Sequence, residues 1–466
     1  MNHIHKTGSN SKVLYSLKFS LILLLFTIGS CKKDILDQKP DQSLAIPTTL
    51  KDFQALVDNV TLLNNRNGFL AEAGADDYYI LDTKYAGFSQ LNKNIYVWDK
   101  QLTEVLIDTE DWNAPYQAIL YANVVLEGIE RLPASDQAEA AYKNIKGTAL
   151  FIRSFNYYQL AQTFCKPYSE ASAATDPGIP LRESSDINIR SVRSTLQRAY
   201  EVVLNGLKEA TDLLPDASSY KTRPIKATAF AMLARVYLSM DNYSMAKEYA
   251  DRSLTAYPAL LDYNQLTTNA ANPVAKYNAE VLIHGSMSPN SFFLNQSAYF
   301  VDQALYSSYS SNDLRKVIFF NPGTGGQVAY KGSYTSGTLL FSGIANDEVY
   351  LIRAECNARL SNVSAAMNDL NALLIKRFKT GTFIPLTATT ATDALSKILS
   401  ERRKELVFRG LRWTDLRRLN KDPLYARTIS RKIGAETYTL APGDQRYVYP
   451  IPAAEIQYSG IDQNPR

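Results

Sequence analysis

The sequence predicts a mainly α-helical protein, and two observations carry that prediction. Apolar residues recur at helical spacing through long stretches of the 466-residue chain, at about 114–131, 138–165, 192–214, 224–239, 243–256, 346–360, 363–378 and 391–409. Thr49-Leu50-Lys51-Asp52 reads as a capping box, in which a hydroxyl and a carboxylate satisfy backbone N–H groups at the start of a helix. That helix carries Leu50, Phe53, Val57 and Val60 on one face, so the folded body starts near residue 48.

The chain opens quite differently. Lys6, Lys12 and Lys18 form a positive stretch without an acidic residue, and Phe19 to Ile28 is an apolar run too short to span a bilayer as a helix. Ile28-Gly29-Ser30-Cys31 follows and resembles the bacterial lipobox: an aliphatic residue, two small ones that let a peptidase approach, then the cysteine that is acylated and becomes the new N-terminus. Residues 1–30 are therefore expected to be a lipoprotein signal peptide and Cys31 the point of lipid attachment. Residues 31–47 are charged, proline-bearing and without periodicity, which suits a tether holding a folded body off a membrane.

Past the first helix, residues 61–112 lose helical periodicity, as do 259–345, which are crowded with Gly, Ser, Asn, Pro and aromatics. Segments of that length inside a folded body are usually functional or disordered, and their aromatic content argues against disorder. Between them, Phe230, Leu233, Ala234 and Tyr237 followed by Ala246 and Pro258 match the tetratricopeptide spacing, where large residues of one helix meet a small residue of the next. Residues 347–378 read as a second, more degenerate hairpin, with Ala354 and Ala358 facing Ala365 and Ala366. Such hairpins bury their apolar faces only by stacking.

Charge and composition exclude several functions. Loss of residues 1–30 removes three lysines and no acid, which leaves 47 basic against 46 acidic residues and no bulk basic field for nucleic acid. Besides Cys31 there are only Cys165 and Cys356, so no disulfide framework is readable, and Cys356 shares a helical face with Val349, Ile352 and Leu360, as a buried thiol would. His284 is the one histidine after the signal, which leaves no multi-histidine metal site. Gly323-Thr324-Gly325-Gly326 follows Pro322 in loop-like sequence and reads as a turn, not a phosphate loop. Glu72, Asp76 and Asp77 could form a carboxylate pair for hydrolysis, but adjacent acids in a loop are usually solvated or capping. No catalytic residue, metal or cofactor is expected.

Binding is better supported. The chain has 30 tyrosines against 18 phenylalanines and three tryptophans, and tyrosine combines a flat apolar ring with a hydroxyl that hydrogen-bonds. Tyr78, Tyr79, Tyr85, Phe88, Tyr96 and Trp98 gather beside Asp76 and Asp77; Tyr299, Phe300, Tyr306, Tyr309 and Tyr334 form a second group. A sugar ring, with apolar faces and polar edges, fits such a surface, although many of these rings would serve equally well as core. The expected ligand-binding residues are Tyr78 and Trp98 as stacking platforms and Asp77 as an acceptor from ligand hydroxyls.

Toward the C-terminus, Leu395, Leu399, Arg402 and Leu406 fall on one helical face, so Arg402 interrupts an apolar stripe and requires a carboxylate, for which Glu405 is a nearby candidate. The run Glu401-Arg402-Arg403-Lys404-Glu405-Leu406-Val407-Phe408-Arg409-Gly410-Leu411-Arg412-Trp413-Thr414-Asp415-Leu416-Arg417-Arg418 resembles the signature of the SusD/RagB family of Bacteroidota surface lipoproteins. The start Cys31 to Asp37 with Pro40, the helix bearing Trp112, Tyr116, Ile119 and Asn123, the segment Tyr350 to Glu355 and the ending Tyr449-Pro450-Ile451-Pro452 with Glu455, Gln463, Asn464 and Pro465 are similar in the same order. Arg409 departs from the family's usual acid, and Leu411 from its frequent histidine.

What the resemblance implies is a SusD-like fold with tetratricopeptide-like hairpins and long irregular segments, in which 48–225 form an N-terminal region packed with 226–466 as one body. It also implies a non-catalytic lipoprotein at the outer-membrane surface that binds a nutrient and passes it to a SusC-like TonB-dependent transporter. An oligosaccharide is the favoured ligand, a peptide the alternative; a surface glycoside hydrolase and a protein-binding scaffold are the remaining readings.

Overall fold

In the structure, a computed structural model describing residues 47–288 and 299–466, the expected helices form and their ends follow local chemistry. Cys31 and the tether lie outside the described residues. Helix α1 (Leu50–Val57) opens with the capping box: Thr49 Oγ1 accepts from Asp52 N at 3.2 Å, and Asp52 Oδ2 accepts from Thr49 N at 3.0 Å. Its Phe53 and Val57 are buried against α2 (Glu110–Ile129). Gly128 makes that approach possible, since a Cβ there would lie 2.3 Å from the Phe53 ring.

Helices α2, α3 (Ala140–Phe164) and α4 (Leu196–Leu213) pack in succession. Almost the whole C-terminal two-thirds of α3 is buried, which marks it as central, whereas α4 buries Leu196, Ala199, Tyr200, Val203, Leu207 and Ala210 at the spacing of one helical stripe.

Two hairpins follow. The first joins α5 (Lys226–Ser239) to α6 (Tyr243–Ala256), the second α7 (Asn346–Arg359) to α8 (Val363–Leu374). Both turn on a residue in the left-handed region, Asp241 at φ 59° and Ser361 at φ 64°. The two hairpins stack through α6 and α7. Ala246, Ala354, Ala358 and Ala366 are fully buried where helices approach, but Ala365 faces solvent, so it plays no part in the second hairpin's contact. The C-terminal helices are α9 (Ala391–Glu405), α10 (Arg412–Leu419) and α11 (Ala453–Ser459).

Short strands among the described residues pair two by two and antiparallel: β1 (Tyr78–Ile80) with β5 (Tyr299–Val301), β2 (Pro177–Pro180) with β3 (Arg193–Thr195), β4 (Val281–Ile283) with β8 (Ile344–Ala345), β6 (Phe320–Pro322) with β7 (Val328–Tyr330), and β9 (Ile429–Ile433) with β10 (Glu436–Leu440). The pair β1–β5 ties the two segments without periodicity together, with Tyr78 opposite Val301 and Ile80 opposite Tyr299.

Residues 61–112 are not the open loop their sequence suggests. They hold the short helices Leu70–Gly74, Asp82–Ala86, Gln90–Tyr96 and Leu102–Val105, each too short to display a period. Residues Thr48–Arg466 form one compact unit. Cys165 and Cys356 are buried free thiols, and among the described residues no helix is long and apolar enough to cross a membrane.

Candidate functional site

The residues expected to bind ligand lie in the core. Trp98 is 1% exposed and Tyr78 3%; the indole Nε1 donates to Gly74 O at 3.0 Å and the phenol to Ala73 O at 2.7 Å. Their ring faces are occupied by Arg431 of β9, whose guanidinium sits 4.5 Å from the Trp98 ring, 4.8 Å from Tyr78 and 4.1 Å from Tyr96. The same guanidinium donates to Ala73 O and Ala75 O. Trp98 holds this position at φ 54°, a region that costs a bulky residue energy and needs such surrounding contacts to hold it. Asp77, 1% exposed, accepts from Arg403 Nε at 2.7 Å. The three therefore surround and pair with protein cations, and a ligand cannot stack on or bond to them in this structure.

The acids at this place are sealed as well. Asp76 pairs with Arg412 at 2.6 Å; burial opposes its ionisation, but the charges of Arg412 and Arg403 outweigh burial and hold the carboxyl well below the usual range. Burial pushes Glu72 up to about 8, with the charge of Asp77 adding to it. Glu72 accepts from Gly410 N at 2.8 Å and is 1% exposed, so neither it nor Asp77 can reach a glycosidic bond.

The signature helices α9 and α10 form an ionic core. Arg402 is buried as its place on the stripe requires, but its partner is Asp415 at 2.8 Å, not Glu405. Glu405 binds Arg377 at 2.7 Å and Arg315 at 3.0 Å instead. Arg377 continues to Glu280 at 3.0 Å, Arg409 pairs with Asp347 at 3.1 Å, and Arg418 with Glu355 at 2.5 Å. Glu280, Asp347 and Glu405 come close enough together to hold a cation, but the cations among them are Arg377 and Arg409. His284 is buried between Tyr277 and Phe341, and burial together with the charge of Lys276 lowers it to about 4, so it is neutral at ordinary pH and stands apart from this cluster.

An open cleft of about 340 Å³ lies along α2 instead. One wall is the face of α2 carrying Trp112, Asn113, Tyr116, Gln117, Leu120 and Asn123, which recur one helical turn apart. The Trp112 and Tyr116 rings are 4.9 Å apart; Trp112 forms the floor and packs edge-on against Phe164, while Tyr116 is partly exposed. The opposite wall is the segment 182–191, pinned to α2 because Asn123 Nδ2 donates to Arg182 O at 2.6 Å and Ser185 N donates to Glu127 Oε1 at 2.7 Å. Glu455 of α11 closes one end, and its buried Oε1 has no hydrogen-bond partner. Asn113 and Gln117 are exposed at the rim.

Aromatic rings, a carboxylate and rim amides are the groups that bind polyhydroxylated rings. The sequence carried part of this signal, since Trp112, Tyr116 and Asn123 share a face with Asn113 and Gln117. Arg182 and Glu455 lie too far along the chain to be assigned to the same cleft.

Comparison with known proteins agrees with this fold. Residues 34–238 match the family described as starch-binding and associating with the outer membrane, and residues 347–466 match the SusD family. The SusD-like protein P2 of Formosa agariphila is 23% identical over 407 residues, 74% of this chain and 77% of that protein. A SusD superfamily protein from Bacteroides vulgatus superposes with a TM-score of 0.72 at 23% identity, covering 90% of this chain and 99% of that one. One from Bacteroides thetaiotaomicron gives 0.71 at 22% identity, covering 90% and 100%. A SusD-like carbohydrate binding protein from Bacteroides vulgatus gives 0.66 at 19%, covering 89% and 97%.

Proposed function

The chain belongs to the SusD/RagB family, and on that premise we propose that it is a non-catalytic lipoprotein that captures an oligosaccharide in the α2 cleft. The observation that carries the proposal is the Trp112–Tyr116 ring pair in the wall of an open cleft that Glu455 closes at one end and that Asn113 and Gln117 rim. Starch binding in the description of the matching family, and carbohydrate binding in the name of a structural neighbour, support the ligand class. Attachment through acylated Cys31 would hold the body at the outer-membrane surface, and a SusC-like TonB-dependent transporter would receive the ligand.

Screening the mature protein on a glycan array, followed by calorimetry with the best ligand, tests the site. Glu455→Gln removes the carboxylate's charge, and Gln117→Ala removes a rim amide that also accepts from Arg66, neither opening the core. Each is expected to weaken binding about tenfold, the worth of one hydrogen bond to a charged or well-placed group. Full affinity in both variants would remove the cleft as the site, and binding of peptides in place of glycans would change the ligand class.

A further inference from the structure

A second cavity, of about 400 Å³, opens between the end of α3, α10 and the C-terminal residues. Its charged lining residues are Lys166, Arg417, Lys421 and Asp444, with Tyr447 and Pro465 among its apolar walls. Three of the four charges are compensated. Lys166 pairs with Asp176 at 2.7 Å, Lys421 with Asp241, and Asp444 with Arg446 at 2.7 Å. Among the described residues no carboxylate pairs with Arg417, although it is 3% exposed. Its two terminal nitrogens donate to the carbonyls of Gln162 and Cys165 at the end of α3, and its Nε has no partner.

That arrangement differs from the other buried arginines of the body. Arg235, Arg315, Arg377, Arg402, Arg409 and Arg418 each meet a carboxylate. Arg431 is bound to carbonyls like Arg417, but three aromatic rings enclose it. Arg417 instead borders open space. Capping a helix C-terminus recovers less than burying a guanidinium costs. Burial accordingly lowers the basicity of Arg417, as it does where no counter-charge offsets it.

We propose that this cavity binds the anionic substituent of a sugar, a carboxylate or a sulfate, opposite Arg417, with Lys166 and Lys421 at the mouth and the ring against Tyr447 and Pro465. The site is distinct from the α2 cleft and rests on the carbohydrate reading only for the ring, not for the charge.

Calorimetry at low ionic strength with glucuronate, glucose 6-sulfate, inorganic sulfate and glucose tests it, the first two probes distinguishing carboxylate from sulfate. At least one charged sugar is expected to bind about tenfold more tightly than glucose. Because Arg417 also caps α3, the mouth lysines carry the mutational arm: Lys166→Gln and Lys421→Gln are each expected to weaken that binding about threefold, the scale of a partly exposed ion pair. Equal binding of glucose, inorganic sulfate binding as tightly as the charged sugars, or unchanged affinity in both lysine variants would each overturn the assignment.

Discussion

Arg402 and Glu72 show what a buried charge costs and how it is held. Arg402 donates to Asp415 at 2.8 Å inside the body, so Arg402→Ala strands part of a buried ion pair. Breaking such a pair costs about 3–5 kcal/mol, and the variant should unfold at a clearly lower denaturant concentration while keeping its ligand specificity. An unchanged midpoint with lost binding would make the motif a site instead. Glu72 is the opposite case, an acid that keeps its proton. Its carboxyl is pushed up from an ordinary value of 4.5 to about 8 by burial, so between those values the folded state binds more protons than the unfolded one. Its contribution to stability therefore falls as pH rises from about 4.5 to about 8 and is level above that. Glu72→Gln keeps the acceptor for Gly410 and removes the titration. Its thermal stability relative to the parent should be higher near pH 8.5 than near pH 5, by about 2 kcal/mol or more; an equal difference at both would contradict the burial account. The sequence disclosed that Arg402 is buried, because it interrupts an apolar stripe. It did not disclose the partner, because the register of α9 against α10 is set by the intervening turn, where Phe408 and Gly410 take positive φ. Nor could it separate platform from core at Tyr78 and Trp98, since what closes their faces is Arg431, a residue distant in the chain.

At the level of elements, legibility followed length. The hairpin helices α5, α6 and α7 are long enough for an apolar period to show, and Ala246 was recognisable as the small residue of a close contact; it is fully buried. Ala246→Leu forces extra methylenes into that contact and should destabilise by about 1–3 kcal/mol, read from urea denaturation; stability equal to the parent would mean the helices are looser than their packing implies. The short helices of 61–112 carry no such period, and their pairing with 259–345 through β1 and β5 joins segments whose register nothing local records. The α2 cleft was half legible for the same reason. Its helical wall repeats one turn apart, whereas 182–191 and Glu455 arrive from elsewhere in the fold.

For the whole molecule, Arg409 in the turn between α9 and α10 pairs with Asp347 and Arg418 of α10 with Glu355, which fastens the C-terminal helices to the second hairpin, while Asn123 holds the segment 182–191 against α2. The expected lipid anchor is separable from that body: Cys31→Ala should release the protein from membrane fractions while leaving its melting curve unchanged, and retention as firm as the parent's would place the anchor elsewhere. The central claim is that saccharide enters the α2 cleft. A crystal structure of the mature protein with the best array ligand tests it most directly: the account predicts a sugar ring against Tyr116 with its hydroxyls at Glu455 and the rim amides of Asn113 and Gln117. Ligand bound at the outer faces of β1 and β5, with the cleft empty, would contradict it.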